Sequence, residues 1–198
     1  QIVTSAAPQP KAENTGQSSD WVALLRRSKP IIAAVNGASV GVGATMILPC
    51  DIIIAAESAK FAMAFVKMGV VPELASSHFL VQRMGFGRAS EMCLTGRLYA
   101  AAEAFDMGLV DRLVSDDVLL SQARSTAAEI AANPPPHLRW VKELLTANGS
   151  ETDLKAVQQR EMDLLQKAYV SPEHKEAVAA FIEKRKPDYR RAAQESAS

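Results

Sequence analysis

The stretch Asn36-Gly-Ala-Ser-Val-Gly-Val-Gly-Ala-Thr-Met-Ile-Leu-Pro-Cys-Asp51 decides the fold. Ahead of it runs Pro30-Ile-Ile-Ala-Ala-Val35, apolar and partly β-branched, which reads as a buried strand. Gly37, Gly41 and Gly43 permit a tight turn and a close backbone approach. Ala44-Thr-Met-Ile-Leu48 is apolar and starts a helix, and Asp51-Ile-Ile-Ile-Ala-Ala56 reads as a second buried strand. Strand, glycine-rich turn, helix and strand make an α/β unit.

The start of that helix has its own chemistry. First-turn N–H groups lack internal partners and carry the positive end of the dipole. A carbonyl oxygen gaining negative charge is stabilised by such donors, as in an oxyanion hole. The turn also needs glycine for geometry alone, and on the residues themselves that reading stays open. There is no Gly-Lys-Ser/Thr phosphate loop, and the spacing misses Gly-x-Gly-x-x-Gly, so no nucleotide site is read.

Composition bounds the function. The chain has 198 residues, of which 48% are hydrophobic, enough for one sizeable core. Its 22 basic residues balance 22 acidic ones, so no net field recruits nucleic acid or an anionic membrane. No apolar run approaches the ~20 residues of a membrane span. Cys50 and Cys93 sit in apolar surroundings and read as buried free thiols of a reducing compartment. The 3 histidines lack metal-ligand spacing. The expected location is the cytoplasm or an organellar matrix.

Several motifs together resemble the crotonase (enoyl-CoA hydratase/isomerase) superfamily. They are Ala34-Val-Asn-Gly-Ala-Ser-Val-Gly-Val-Gly43, Cys50-Asp-Ile-Ile-Ile-Ala55, Ala59-Lys-Phe61, Leu94-Thr-Gly-Arg97, Ala101-x-Glu-Ala104, Gly108-Leu-Val110 and Phe181-Ile-Glu-Lys-Arg-Lys-Pro187. The resemblance covers about Ser28 to Arg190. It implies an α/β spiral of strand-strand-helix units, a helical C-terminal region, a homotrimer or hexamer, and an acyl-CoA thioester substrate. It also implies that two backbone N–H groups stabilise an enolate. In the family several strands precede this stretch and carry the first oxyanion N–H and much of the coenzyme A site. They are missing here, so the chain is expected to be a fragment or to lack its leading segment.

The remaining chain reads in three parts. Residues 1–19 are Pro-, Ser-, Gln- and Ala-rich and read as loop or disorder. Residues 20–114 read as the later part of the spiral core. A short helix over Asp20–Arg27, capped by Ser19 or Asp20, leads into the strand at Pro30. Residues 58–69 read as a short strand and loop. Helices are expected over Leu74–Met84, ended by Gly85, over Gly87–Leu94 and over Ala100–Met107, with a strand at Leu109–Val114.

Residues 115–198 read as a helical region for trimerisation and active-site cover. Ser115 or Asp116 caps its first helix, and Pro134-Pro-Pro136 divides that helix from the next, whose Leu138, Val141 and Leu145 point inward. Ser150-Glu-Thr-Asp153 resembles a capping box, and Ser171-Pro172 starts the last helix.

The resemblance also bears on the chemistry. Hydratases of the family use two glutamates, and the matching positions here are Thr45 and Phe65. Hydration needs one group to activate water and another to protonate carbon, so ordinary hydratase activity is not expected. Val70-Val-Pro-Glu-Leu-Ala-Ser-Ser77 instead places Glu73 after a loop and at a helix start. That setting resembles the isomerases that convert 3-enoyl-CoA to 2-enoyl-CoA, in which one glutamate in a Pro-Glu-x-x-Ser-Ser context is the single base.

The expected catalytic groups are Glu73 and the Val42 N–H. Gly41, Phe65, Val70, Leu74, Phe181 and Lys184 are expected to bind substrate. An apolar pocket of Phe65, Val70, Val71 and Leu74 would raise the carboxylate pKa. Coenzyme A enters as part of the substrate, and no metal or redox cofactor is expected. On the residues alone, Glu73 in a first helical turn is also a favourable dipole contact, and Lys184 an ordinary helix end. His78 beside Ser76 and Ser77 makes a poor nucleophile pair, because adjacent helix positions do not face each other. Asp51 is read as holding the strand start.

Two other readings remain open. One is a family hydrolase or dehalogenase using Glu73 as nucleophile. The other is a catalytically silent homologue acting as a binding subunit.

Overall fold

The computed structural model describes residues 20–195. The expectation for residues 1–19 lies outside the described residues.

The chain winds as successive strand-strand-helix units. Helix α1 (Trp21–Arg27) begins on Asp20, whose side chain accepts the Ala23 N–H. β1 (Ile32–Val35) turns at Asn36-Gly37 into β2 (Ala38–Val40), and α2 (Val42–Thr45) follows. β3 (Ile52–Ala56) and β4 (Lys60–Ala62) repeat the pattern, then a 3-10 turn at Ala64–Met68 and helix α3 (Ser76–Thr95). β5 (Tyr99–Ala100), α4 (Ala101–Asp106) and β6 (Arg112–Val114) close the spiral.

Two small sheets result. One has the parallel order β1-β3-β6; the other has the order β2-β4-β5, with β4 and β5 antiparallel. Each strand pair therefore splits between the sheets, which turns the chain from one layer to the next.

β3 is a continuous apolar run because both its faces are covered. Ile53 and Ala55 enter the main core with Phe61, Leu80, Met92 and Tyr99. Ile54 and Ala56 face the other way, onto Leu119. The starts of β1 and β3 are each fixed by an aspartate just ahead of the neighbouring strand. Asp51 donates its N–H to the Ile31 carbonyl (3.0 Å), and its Oδ2 accepts the Ile31 N–H (2.7 Å). Asp111 makes the same pair with Ile53, at 2.9 and 2.7 Å. An arginine braces each one, Arg26 at Asp51 and Arg83 at Asp111. Reading Asp51 as the holder of the strand start therefore holds, and the device is repeated one turn later.

The helical region runs through α5 (Leu119–Ala131), α6 (Pro135–Asn148), α7 (Leu154–Tyr169), α8 (Pro172–Ile182) and α9 (Tyr189–Glu195). Ser171 caps α8 by accepting the His174 N–H.

Several expectations need correction. β2 and β5 were not foreseen, being too short to show a period of two. α3 starts at Ser76 rather than Leu74, because Leu74 and Ala75 take left-handed angles (φ 55° and 54°). Gly85, at φ 77° and ψ 164°, does interrupt the helical run as expected, so α3 is two helices joined across a kink. In α6, Val141 and Leu145 are exposed, while Lys142 between them is buried. Its ammonium reaches Asp51 Oδ2 (2.7 Å) and the Lys29 carbonyl (3.1 Å), which turns that face inward. Asp153, not Ser150, caps α7. Asp116 binds Ser58 rather than capping α5. α8 is not the last helix.

Candidate active site

The site grows from Gly41. With φ +56° it occupies a left-handed conformation, the one place in the glycine-rich turn where glycine's freedom is used. Its N–H is held by the Ala62 carbonyl (3.0 Å), which ties the turn to β4. α2 then begins with the Val42 and Gly43 N–H groups, which have no acceptor among the described residues. Both residues are exposed, so the free donors face the surface.

Thr45 ends α2 and is fully buried. Its Oγ1 lies 2.6 Å from Glu73 Oε1 and 3.1 Å from the Val42 carbonyl. One hydroxyl thus links the carboxylate to the residue that heads the helix. Glu73 lies ahead of α3, and its carbonyl accepts the Ser76 N–H (3.1 Å). The left-handed pair Leu74–Ala75 follows it directly. Two consecutive non-glycine residues there store strain, and such strain gathers at functional sites.

The sequence-predicted residues are only partly brought together. Gly41, Val42 and Glu73 converge through Thr45. Phe65 and Leu74 are half-buried, Phe65 against the main core. The apolar pocket expected around the carboxylate is not formed among the described residues. Glu73 is exposed, and so are Val70 and Val71, at 55% and 80%. Phe181 and Lys184 stand exposed at the end of α8, which packs chiefly on α7 and α9. Glu73 is also not in a first helical turn, which removes the simple dipole reading.

Other candidate chemistry falls away. Ser76 Oγ is buried with no partner among the described residues, while His78 is exposed and packs edge-on against Phe79. They form no nucleophile pair. Cys50 and Cys93 are free, and burial pushes both thiols up from their ordinary pKa, which keeps them unreactive. Among the described residues no cluster of His, Cys, Asp and Glu could hold a metal ion. A cleft of about 870 Å³ lies elsewhere, between β1, α5, α6 and α9, and its lining includes none of the predicted site residues.

The Thr45–Glu73 contact was missed by sequence reasoning. Position 45 drew notice only for lacking a carboxylate, and no pattern signals a contact across 28 residues.

The family model for enoyl-CoA hydratase/isomerase matches residues 4–192. The chain belongs to the enoyl-CoA hydratase/isomerase family. A probable enoyl-CoA hydratase of Mycobacterium bovis is 38% identical over 169 residues, which is 85% of this chain and 65% of that protein. The 1,2-epoxyphenylacetyl-CoA isomerase of Escherichia coli is 36% identical over 167 residues, 84% of this chain and 63% of its own length. The solved enoyl-CoA hydratase of Bacillus anthracis superposes with a TM-score of 0.80 at 35% identity, covering 85% of this chain and 65% of that one. The fold is thus the crotonase-like spiral of this family. The chain spans a little under two thirds of the length of these relatives.

Proposed function

We propose that this chain carries the acid/base part of an acyl-CoA isomerase that moves a double bond from the 3- to the 2-position of an enoyl-CoA thioester. The observation that carries the reading is the placement of one carboxylate, Glu73, on the Thr45 hydroxyl, which also bonds the carbonyl of Val42, the residue whose N–H opens α2. The two positions at which family hydratases carry glutamates hold Thr45 and Phe65, and neither can activate water. Most of the named relatives are called hydratases, and one is called an isomerase.

In the proposed reaction the thioester carbonyl sits against the Val42 N–H. Glu73 takes a proton from C2, and the electron pair spreads through the dienolate to the thioester oxygen and C4. The developing oxyanion strengthens its bond to the N–H in the transition state. Glu73 then delivers the proton to C4, and the double bond ends conjugated with the carbonyl. One base serves both steps because both carbons belong to one delocalised anion.

Leu154, Val170, Phe181 and Ile182 are exposed apolar side chains of the helical region, available to an interface, and they support self-association as a trimer or hexamer. Among the described residues no helix is long and apolar enough to cross a membrane.

The test is an assay on 3-enoyl-CoA, following conjugation by ultraviolet absorbance and free thiol release in parallel. Conjugation without thiol release is expected. Thiol release would give the carboxylate to a hydrolase, and neither signal would leave a silent homologue.

A further inference from the structure

We propose that Thr45 is the positioning residue of Glu73, its hydroxyl donating to Oε1 while Oε2 takes and returns the substrate proton. The proposal rests on the reading of Glu73 as the base. A threonine hydroxyl has one proton to donate and lone pairs to accept with. Here its oxygen lies 2.6 Å from Glu73 Oε1 and 3.1 Å from the Val42 carbonyl, two groups that both accept when the carboxylate is charged. The hydroxyl then donates to the nearer and stronger acceptor, Glu73. The proton that Glu73 takes from C2 sits on Oε2, the oxygen left for the substrate, and is returned from there to C4; Oε1 stays an acceptor, and Thr45 goes on donating to it. No charge passes through Thr45. Both states of the base are therefore held in one position.

The surroundings make the anchor matter. Glu73 is exposed on a loop, and among the described residues no salt bridge reaches it. The titratable groups nearest in the chain are Lys67 on the 3-10 turn and His78 on α3, both exposed and neither ion-paired with it. Farther along α3, Arg83 is paired with Asp111, Glu91 with Arg97, and Arg88 donates to the Met107 carbonyl. α2 carries no ionisable side chain. Thr45 itself is fully buried and β-branched, so its rotamer is set by packing.

The test compares Thr45→Val, which keeps the shape and removes the hydroxyl, with Thr45→Ser, which keeps the hydroxyl and removes a methyl. The Glu73 side-chain rotamer is read from a crystal structure of each protein, kcat and KM are measured on 3-enoyl-CoA, and urea unfolding is followed alongside. Thr45→Val is expected to release Glu73 from the rotamer that meets position 45 and to lower kcat about tenfold with KM little changed. Thr45→Ser is expected to keep the wild-type rotamer and most of kcat while losing more stability. A purely structural Thr45 predicts the reverse order, with Thr45→Ser the worse variant and the Glu73 rotamer unchanged in either; that result overturns the proposal. The rotamer needs no turnover. A released Glu73 in Thr45→Val, beside a wild type that isomerises nothing, keeps Thr45 in this role and removes the isomerase reading instead.

Discussion

The Lys142 ammonium lies 2.7 Å from the Asp51 carboxylate, joining α6 to the start of β3. Lys142 is 4% exposed and Asp51 19%, with Arg26 at 3.2 Å on the other carboxylate oxygen. Removing one partner of a buried pair typically costs about 3–5 kcal/mol, because the other charge is left without compensation. Arg26 and the Ile31 N–H stay on Asp51, so Lys142→Met should fall at the lower end, about 3 kcal/mol. Urea unfolding checks this, and a change under about 1 kcal/mol would make the pair energetically idle.

Ala75 offers a test of stored strain. Its φ of 54° suits glycine better than alanine. Relief of the left-handed conformation is worth roughly 1–2 kcal/mol, and the added freedom of the unfolded chain offsets roughly 0.4–1 kcal/mol. Ala75→Gly should therefore stabilise slightly, and Ala75→Val should destabilise clearly. Thermal unfolding of the two variants beside wild type reads both signs.

Glu176 governs a pH dependence at the C-terminal end. Its hydrogen bonds to the Arg185 guanidinium, helped by the Asp188 N–H at 2.7 Å, hold its pKa down at about 2. A carboxylate with a lowered folded-state pKa contributes stability above its ordinary value and loses it as pH falls. The contact between α8 and the segment leading to α9 should be intact above about pH 4.5 and fade toward pH 2. Hydrogen exchange at the Asp188 amide should accelerate over that window beyond its intrinsic rate. Glu176→Gln should abolish the pH dependence.

Thr45→Glu should not create a hydratase. The Phe65 position still lacks a carboxylate, and water would have one partner rather than two. The new carboxylate would also be buried against Glu73, and two like charges in contact there cost stability. Hydration of 2-enoyl-CoA by this variant would contradict the argument.

Much of the architecture was legible because β1, β3 and the tail helices announce themselves by apolar runs and by caps such as Asp20 and Ser171. The short β2 and β5 were not, since two or three residues show no period. Lys142 was missed because hydropathy counts a lysine as surface, and only its partner Asp51 draws it inside. Glu73 was singled out by its Pro-Glu-x-x-Ser-Ser setting. The left-handed turn behind it was not, because nothing in Leu74-Ala75 resembles a left-handed sequence, and tertiary packing overrides local preference there.

The most direct measurement is kcat for Glu73→Gln with 3-enoyl-CoA, in the active polypeptide that carries this chain. The amide keeps the size of the side chain and its contact with Thr45 but cannot take a proton. General-base loss costs about 10²–10⁴-fold, and here one residue serves both proton steps, so the upper end is expected with KM little changed. Glu73→Asp should keep a trace of activity. A Glu73→Gln protein with wild-type kcat would contradict the account and move the base to another carboxylate.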